Sequence, residues 1–84
     1  MATARYLVER RFESAPAFAV ASIVERNLDL GVTWLCSYVS DDGRTVFCLY
    51  EAASPEAIRR AATRNGLPVD RIHEVSVLDP YFYH

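Results

Sequence analysis

Eighty-four residues carry a formal net charge of −2, and 51% of them are apolar, which describes one folded domain, residues 1–84, rather than a disordered chain. All nine basic residues are Arg and they form no basic stripe, so the electrostatic footprint of a nucleic-acid binder is absent. The longest apolar stretch, Ala15 to Val24, is broken by Pro16 and Ser22. It falls short of the roughly 20 residues that span a bilayer. Met1 to Val8 lacks the layout of a signal peptide. We therefore expect a cytoplasmic protein that touches neither membrane nor nucleic acid, with Cys36 and Cys48 reduced.

In chain order, Arg5 to Phe12 reads as a strand, with Tyr6, Val8 and Phe12 on one parity and Leu7, Glu9 and Arg11 on the other. Ser14 is an expected N-cap, with Pro16 in the first turn of a helix that runs to about Leu28. Ala17, Val20, Ala21, Val24 and Leu28 form its buried stripe, and Ile23 flanks it. Val32 to Ser40 and Arg44 to Ala52 are rich in β-branched and aromatic residues and form a hairpin. A three-residue loop, Asp41-Asp42-Gly43, with Gly43 left-handed, is the favoured connection. It sets Cys36 opposite Cys48. A two-residue loop at Asp42-Gly43 shifts the pairing by one and puts the cysteines on opposite faces.

Ser54-Pro55-Glu56 begins the second helix with a hydroxyl cap, a proline at the first helical position and an acid in the first turn. Ile58, Ala61, Ala62 and Asn65 face inward; Arg59, Arg60, Thr63 and Arg64 face water. Asn65-Gly66-Leu67-Pro68 stops it. Arg71 to Leu78 is the last main strand, and the aromatic tail from Tyr81 to His84 has room for a short fifth one.

The order β-α-β-β-α-β is the ferredoxin-like α+β sandwich: a four-stranded antiparallel sheet with both helices on one face. The other face carries either Trp34, Cys36, Tyr38, Val46, Cys48 and Tyr50, or Leu35, Val39, Phe47 and Leu49. Both sets are apolar, so the face needs a cover. A second copy, sheet against sheet about a twofold axis, is the expected one.

Candidate chemistry is sparse. Cys36 and Cys48, if paired across strands, can bind one borderline metal or oxidise to a disulfide; as small buried hydrophobes they need no function. His73 and His84 carry imidazole, a common metal ligand, although a strand-edge or terminal His is ordinarily solvated. Glu9, Arg11 and Glu74 are strand charges, one of which can serve as a ligand or acid–base group if it lines a cavity between two sheets; rim charges that suppress aggregation are the plainer reading. No phosphate loop, paired-His helix or nucleophile elbow occurs, so no catalytic motif is found.

The runs Gly31-Val32-Thr33-Trp34, Ser37-Tyr38-Val39-Ser40, Phe47-Cys48-Leu49-Tyr50-Glu51-Ala52, Ser54 to Arg59, Arg64 to Asp70 and Leu78 to Tyr83 together resemble the small bacterial ferredoxin-like nickel-binding proteins, a family otherwise filed as a domain of unknown function. The resemblance implies a homodimer that binds Ni2+ at its surface, for sequestration or detoxification rather than catalysis. Family members often carry His or Glu at the position of Cys36, and a thiolate there alters metal preference. From their chemistry the candidate ligands are Cys36, Cys48, His73, His84 and Glu9. The alternative is a small dimeric enzyme or small-molecule binder using the inter-sheet cavity, with Glu9 or His73 as base.

Overall fold

The structure is a computed structural model and describes residues 2–82. Six elements follow in the expected order: β1 (Ala4–Arg11), α1 (Val20–Asp29), β2 (Thr33–Val39), β3 (Thr45–Ala52), α2 (Pro55–Asn65) and β4 (Arg71–Val75). The strands form one antiparallel sheet in the order β2-β3-β1-β4. This is the ferredoxin-like α+β arrangement. No helix among the described residues is long and apolar enough to cross a membrane.

Burial alternates along the two inner strands because successive side chains point to opposite faces. Tyr6, Val8 and Arg10 of β1, and Val46, Cys48, Tyr50 and Ala52 of β3, are buried. They join Ala57, Ile58 and Ala61 of α2 in one core. Leu7, Glu9, Phe47 and Leu49, on the opposite parity, are only half-buried, so the helices cover one face and leave the other open.

α2 forms as its sequence dictates. The Ser54 hydroxyl accepts from the Ala57 N–H at 3.3 Å, Pro55 occupies the first turn, and Gly66 closes the helix at φ +67°. α1 departs from expectation. It begins at Val20, with no side-chain cap, and Ser14 and Pro16 lie in irregular chain. Phe12 and Phe18 meet edge to face at 5.9 Å, and Ala15 packs beside Gly43 of the hairpin loop. Those contacts hold residues 12–19 across the hairpin and override the local cap signal. The helix is also rotated: Ile23 and Asn27 are buried, while Val20 and Leu28 are exposed. Asn27 faces inward with a partner for its side chain: its Oδ1 accepts from the Asn65 side-chain amide at 2.9 Å, which ties α1 to α2.

β4 stops at Val75, not Leu78. Among the described residues it is an edge strand whose only neighbour is β1, and the pairing runs out at Arg5↔Val75. Residues 76–82 continue without forming a fifth strand; Asp79 instead closes a turn by accepting from the Tyr81 N–H at 2.9 Å. Tyr83 and His84 lie outside the described residues.

The hairpin register corrects the expected one. Thr33↔Glu51 and Trp34↔Tyr50 follow the pairing of a three-residue loop. From Cys36↔Leu49 to Val39↔Val46 the pairing is shifted by one, and a bulge at Leu35 reconciles the two. The loop end explains the shift. Ser40 N–H bonds to Thr45 O at 2.9 Å, the Ser40 hydroxyl accepts from Thr45 N–H at 3.1 Å, and Asp42 captures the Arg44 N–H at 2.9 Å. Arg44 is thereby drawn into the loop instead of pairing with Ser40. Neither expected apolar set survives intact: Cys36 and Tyr38 share the open face with Phe47 and Leu49, while Trp34 faces the core with Val46, Cys48 and Tyr50.

Candidate functional site: the open face of the sheet

The bulge separates the two cysteines. Cys48 is buried in the core, where its Sγ accepts from the Ser37 hydroxyl at 3.0 Å. Trp34 Nε1 donates to the same hydroxyl at 2.8 Å, so a side-chain chain spans the bulge and pins it. Cys36 is exposed on the other side and opposes Leu49. The expected cross-strand thiol pair is therefore not formed: Ser37, not Cys36, stands opposite Cys48.

Three of the proposed ligands do share the open face. Reading across β2, β3, β1 and β4, its middle row is Cys36, Leu49, Leu7, His73. The row on one side is Tyr38, Phe47, Glu9, Arg71, and the row on the other is Thr33, Glu51, Arg5, Val75. Adjacent strands lie about 4.8 Å apart, which puts Cys36 and His73, three strands apart, about 14 Å from one another. Glu9 and His73 are diagonal neighbours on β1 and β4, at a spacing of about 7–8 Å that long side chains can bridge. Glu9 Oε2 accepts from Arg11 Nε at 2.8 Å on its own strand. His84 lies outside the described residues. Sequence reasoning did not set Arg5, Glu51 and Arg71 beside these groups; the β1–β3 register was the missing information.

A thiolate, an imidazole and a carboxylate suit a borderline metal such as nickel. Within one chain, however, no three His, Cys, Asp or Glu side chains among the described residues come together to hold an ion. The two clefts described lie elsewhere. One, of about 280 Å³, runs between α2 and β4 past Arg59, Thr63 and Arg71; the other, of about 240 Å³, lies between α1 and β2 and touches Cys36 at its edge.

Beneath the face, Arg10 is almost completely buried at 2% exposure. It donates to the Pro68 carbonyl and to the Tyr50 hydroxyl, fastening the α2–β4 connection to the core. Burial pushes the Tyr50 hydroxyl up to about 12, outweighing the pull of the Arg10 charge. Burial, helped by the Glu74 carboxylate, raises Tyr6. At the loop, the Arg44 amide and then the Ser40 hydroxyl hold Asp42 below the usual carboxylate value.

Residues 6–75 match the profile of the family described as nickel responsive protein SCO4226-like. The chain belongs to that family. The family's SCO4226 from Streptomyces coelicolor A3(2) has a solved crystal structure that aligns with a TM-score of 0.72 and 25% identity, over 90% of this chain and 100% of that one. No curated protein matches.

Proposed function

We propose that the protein binds nickel as a homodimer and sequesters or detoxifies the metal in the cytoplasm, without catalysing a reaction. The family's nickel-responsive description supports the choice of metal. The observation that carries the reading is the placement of Glu9, Cys36 and His73 on the one sheet face that no helix covers. Between them lie half-buried Leu7, Phe47 and Leu49, an apolar centre suited to a second sheet. Thiol and imidazole must lose protons to bind metal, so affinity falls as pH is lowered.

The test is calorimetric titration of the reduced, tag-free protein with nickel, zinc and cobalt, with sedimentation to measure subunit number. Saturable nickel binding at low micromolar or tighter affinity, with integer stoichiometry per dimer, is expected. Millimolar binding that does not distinguish the three metals overturns the reading.

A further inference from the structure

The cleft of about 280 Å³ between α2 and β4 has a cation on each wall and an apolar floor. Arg59 comes from α2 and Arg71 from the start of β4. Ala62, Leu67, Val69 and Ile72 line the space between them. Neither guanidinium belongs to an ion pair among the described residues; the ion pairs there use Arg5, Arg11 and Arg44. Asp70 also lines the cleft, but its Oδ2 accepts from the Arg11 N–H at 2.7 Å and it pairs with neither arginine. The Thr63 hydroxyl donates to the Arg59 carbonyl at 3.0 Å. The two guanidiniums are therefore the side-chain donors that the cleft offers.

A third cation lies behind the floor. Arg10, at 2% exposure, donates to the carbonyl of Pro68, the residue between Leu67 and Val69. Its other partner is the Tyr50 hydroxyl, its Nε has none, and no carboxylate neutralises it among the described residues. A buried charge without a counter-charge is costly, and its field passes through apolar packing with little screening. An anion in the cleft supplies that counter-charge from outside the core. The lining is net positive even with Asp70, in a chain whose formal net charge is −2.

We infer that this cleft binds a small organic anion, an apolar body carrying one carboxylate or phosphate group, with Arg59 and Arg71 on the head group. The planar guanidinium fork matches both head groups. Drug-sized ligands occupy roughly 300–1,000 Å³, so this volume admits only a small one. The apolar floor favours an anion with a hydrocarbon body over an inorganic ion. The site uses none of Glu9, Cys36 and His73, and it requires neither a metal nor a second copy.

Amide chemical-shift titration of the full, metal-free chain tests it, with phenyl phosphate and benzoate as probes and inorganic phosphate and benzyl alcohol as comparators. One of the two organic anions should half-saturate below about 1 mM, with its shifts gathered on Arg59 to Thr63 and Leu67 to Ile72. The tighter of the two names the head group. Arg59→Gln and Arg71→Gln change exposed residues and should leave the circular dichroism unchanged. Each should weaken binding by about tenfold or more, the worth of a hydrogen bond to a charged group. Arg60→Gln removes a charge from the same helix outside the cleft and should change affinity less than about threefold at physiological salt. Half-saturation above about 1 mM for both probes overturns the inference. So do shifts scattered over the surface, or an Arg60→Gln loss equal to the other two, since either means attraction to net charge alone. Inorganic phosphate that binds as tightly as phenyl phosphate, or benzyl alcohol that binds as tightly as either anion, overturns the ligand class.

Discussion

Arg10 Nη2 donates to the Tyr50 hydroxyl at 3.1 Å while its guanidinium carbon lies 5.8 Å from the centroid of the same ring. Arg10 forms no ion pair among the described residues, and its Nε has no partner. The charge is thus held in the core by two neutral oxygens and one aromatic face. Tyr50→Phe keeps the ring and removes an acceptor from a buried charged donor, which costs about 2 kcal/mol. Urea denaturation measures it, and a loss below about 0.5 kcal/mol, the scatter of surface substitutions, contradicts the assignment.

The same hydroxyl makes stability depend on alkaline pH. Tyr50 is pushed up to about 12 in the folded chain, against about 10 when unfolded. Between these values the unfolded chain gives up the proton and the folded chain keeps it. The contribution is therefore complete below pH 10 and is lost as pH rises toward 12, on the order of 2–3 kcal/mol in all. Denaturation midpoints at pH 9 and pH 11.5 should differ for the wild type and differ much less for Tyr50→Phe.

At the acid end, Asp42 should act in the opposite sense. Its depressed value means that its contribution is present above the unfolded carboxylate range and is lost as pH falls through the folded value. Asp42→Asn keeps an acceptor for the Arg44 amide but removes the charge. That variant should show a shallower fall in stability between pH 5 and pH 2 than the wild type. Equal slopes would mean that the loop carboxylate is unlinked to folding.

Two serines look like helix caps, and only one is. Ser54→Ala removes the acceptor for the Ala57 amide and should cost about 1 kcal/mol. Ser14 lies six residues before α1 and caps nothing, so Ser14→Ala should stay within about 0.5 kcal/mol of wild type. Equal losses would restore the helix start that the sequence suggests.

Gly43 and Gly66 both take positive φ, at +74° and +67°. A Cβ on Gly66 meets nothing within 4 Å, whereas one on Gly43 comes within 2.9 Å of Ala15 Cβ. Gly66→Ala should cost only the left-handed backbone, about 1–2 kcal/mol. Gly43→Ala should cost more, because residues 12–19 must also move off the hairpin. A smaller loss at Gly43 would mean that Ala15 is not seated there.

These contrasts show which parts of the fold were legible in the chain. α2 was, to within a residue at each end, because Ser54, Pro55 and Gly66 are local signals acting on the backbone beside them. The order of elements along the chain was, because each change of hydrophobic period has its own turn residues. The start of α1 was not: Phe12, Ala15 and Phe18 are fixed by contacts with the core and with each other, and no neighbour in sequence announces them. The candidate site was half legible. Glu9, Cys36 and His73 could be named by chemistry, but Cys36 joins the face of the other two only through the bulge at Leu35. The separation of Cys36 from Cys48 depends on side-chain bonds at Ser40 and Asp42 that redirect a loop four residues away.

Leu35 has a separate meaning for comparing relatives. It is the one residue of β2 that stands opposite nothing on β3. Removed from the chain, it would leave Trp34 and Cys36 adjacent, facing the sides they already face. The strand can therefore gain or lose a residue at this point over evolutionary time without any other side chain changing sides. When two members of the lineage differ in length by one between their first helix and their hairpin loop, the gap belongs at the bulge. Placed elsewhere in the strand, it would align an outward thiol with an inward hydroxyl.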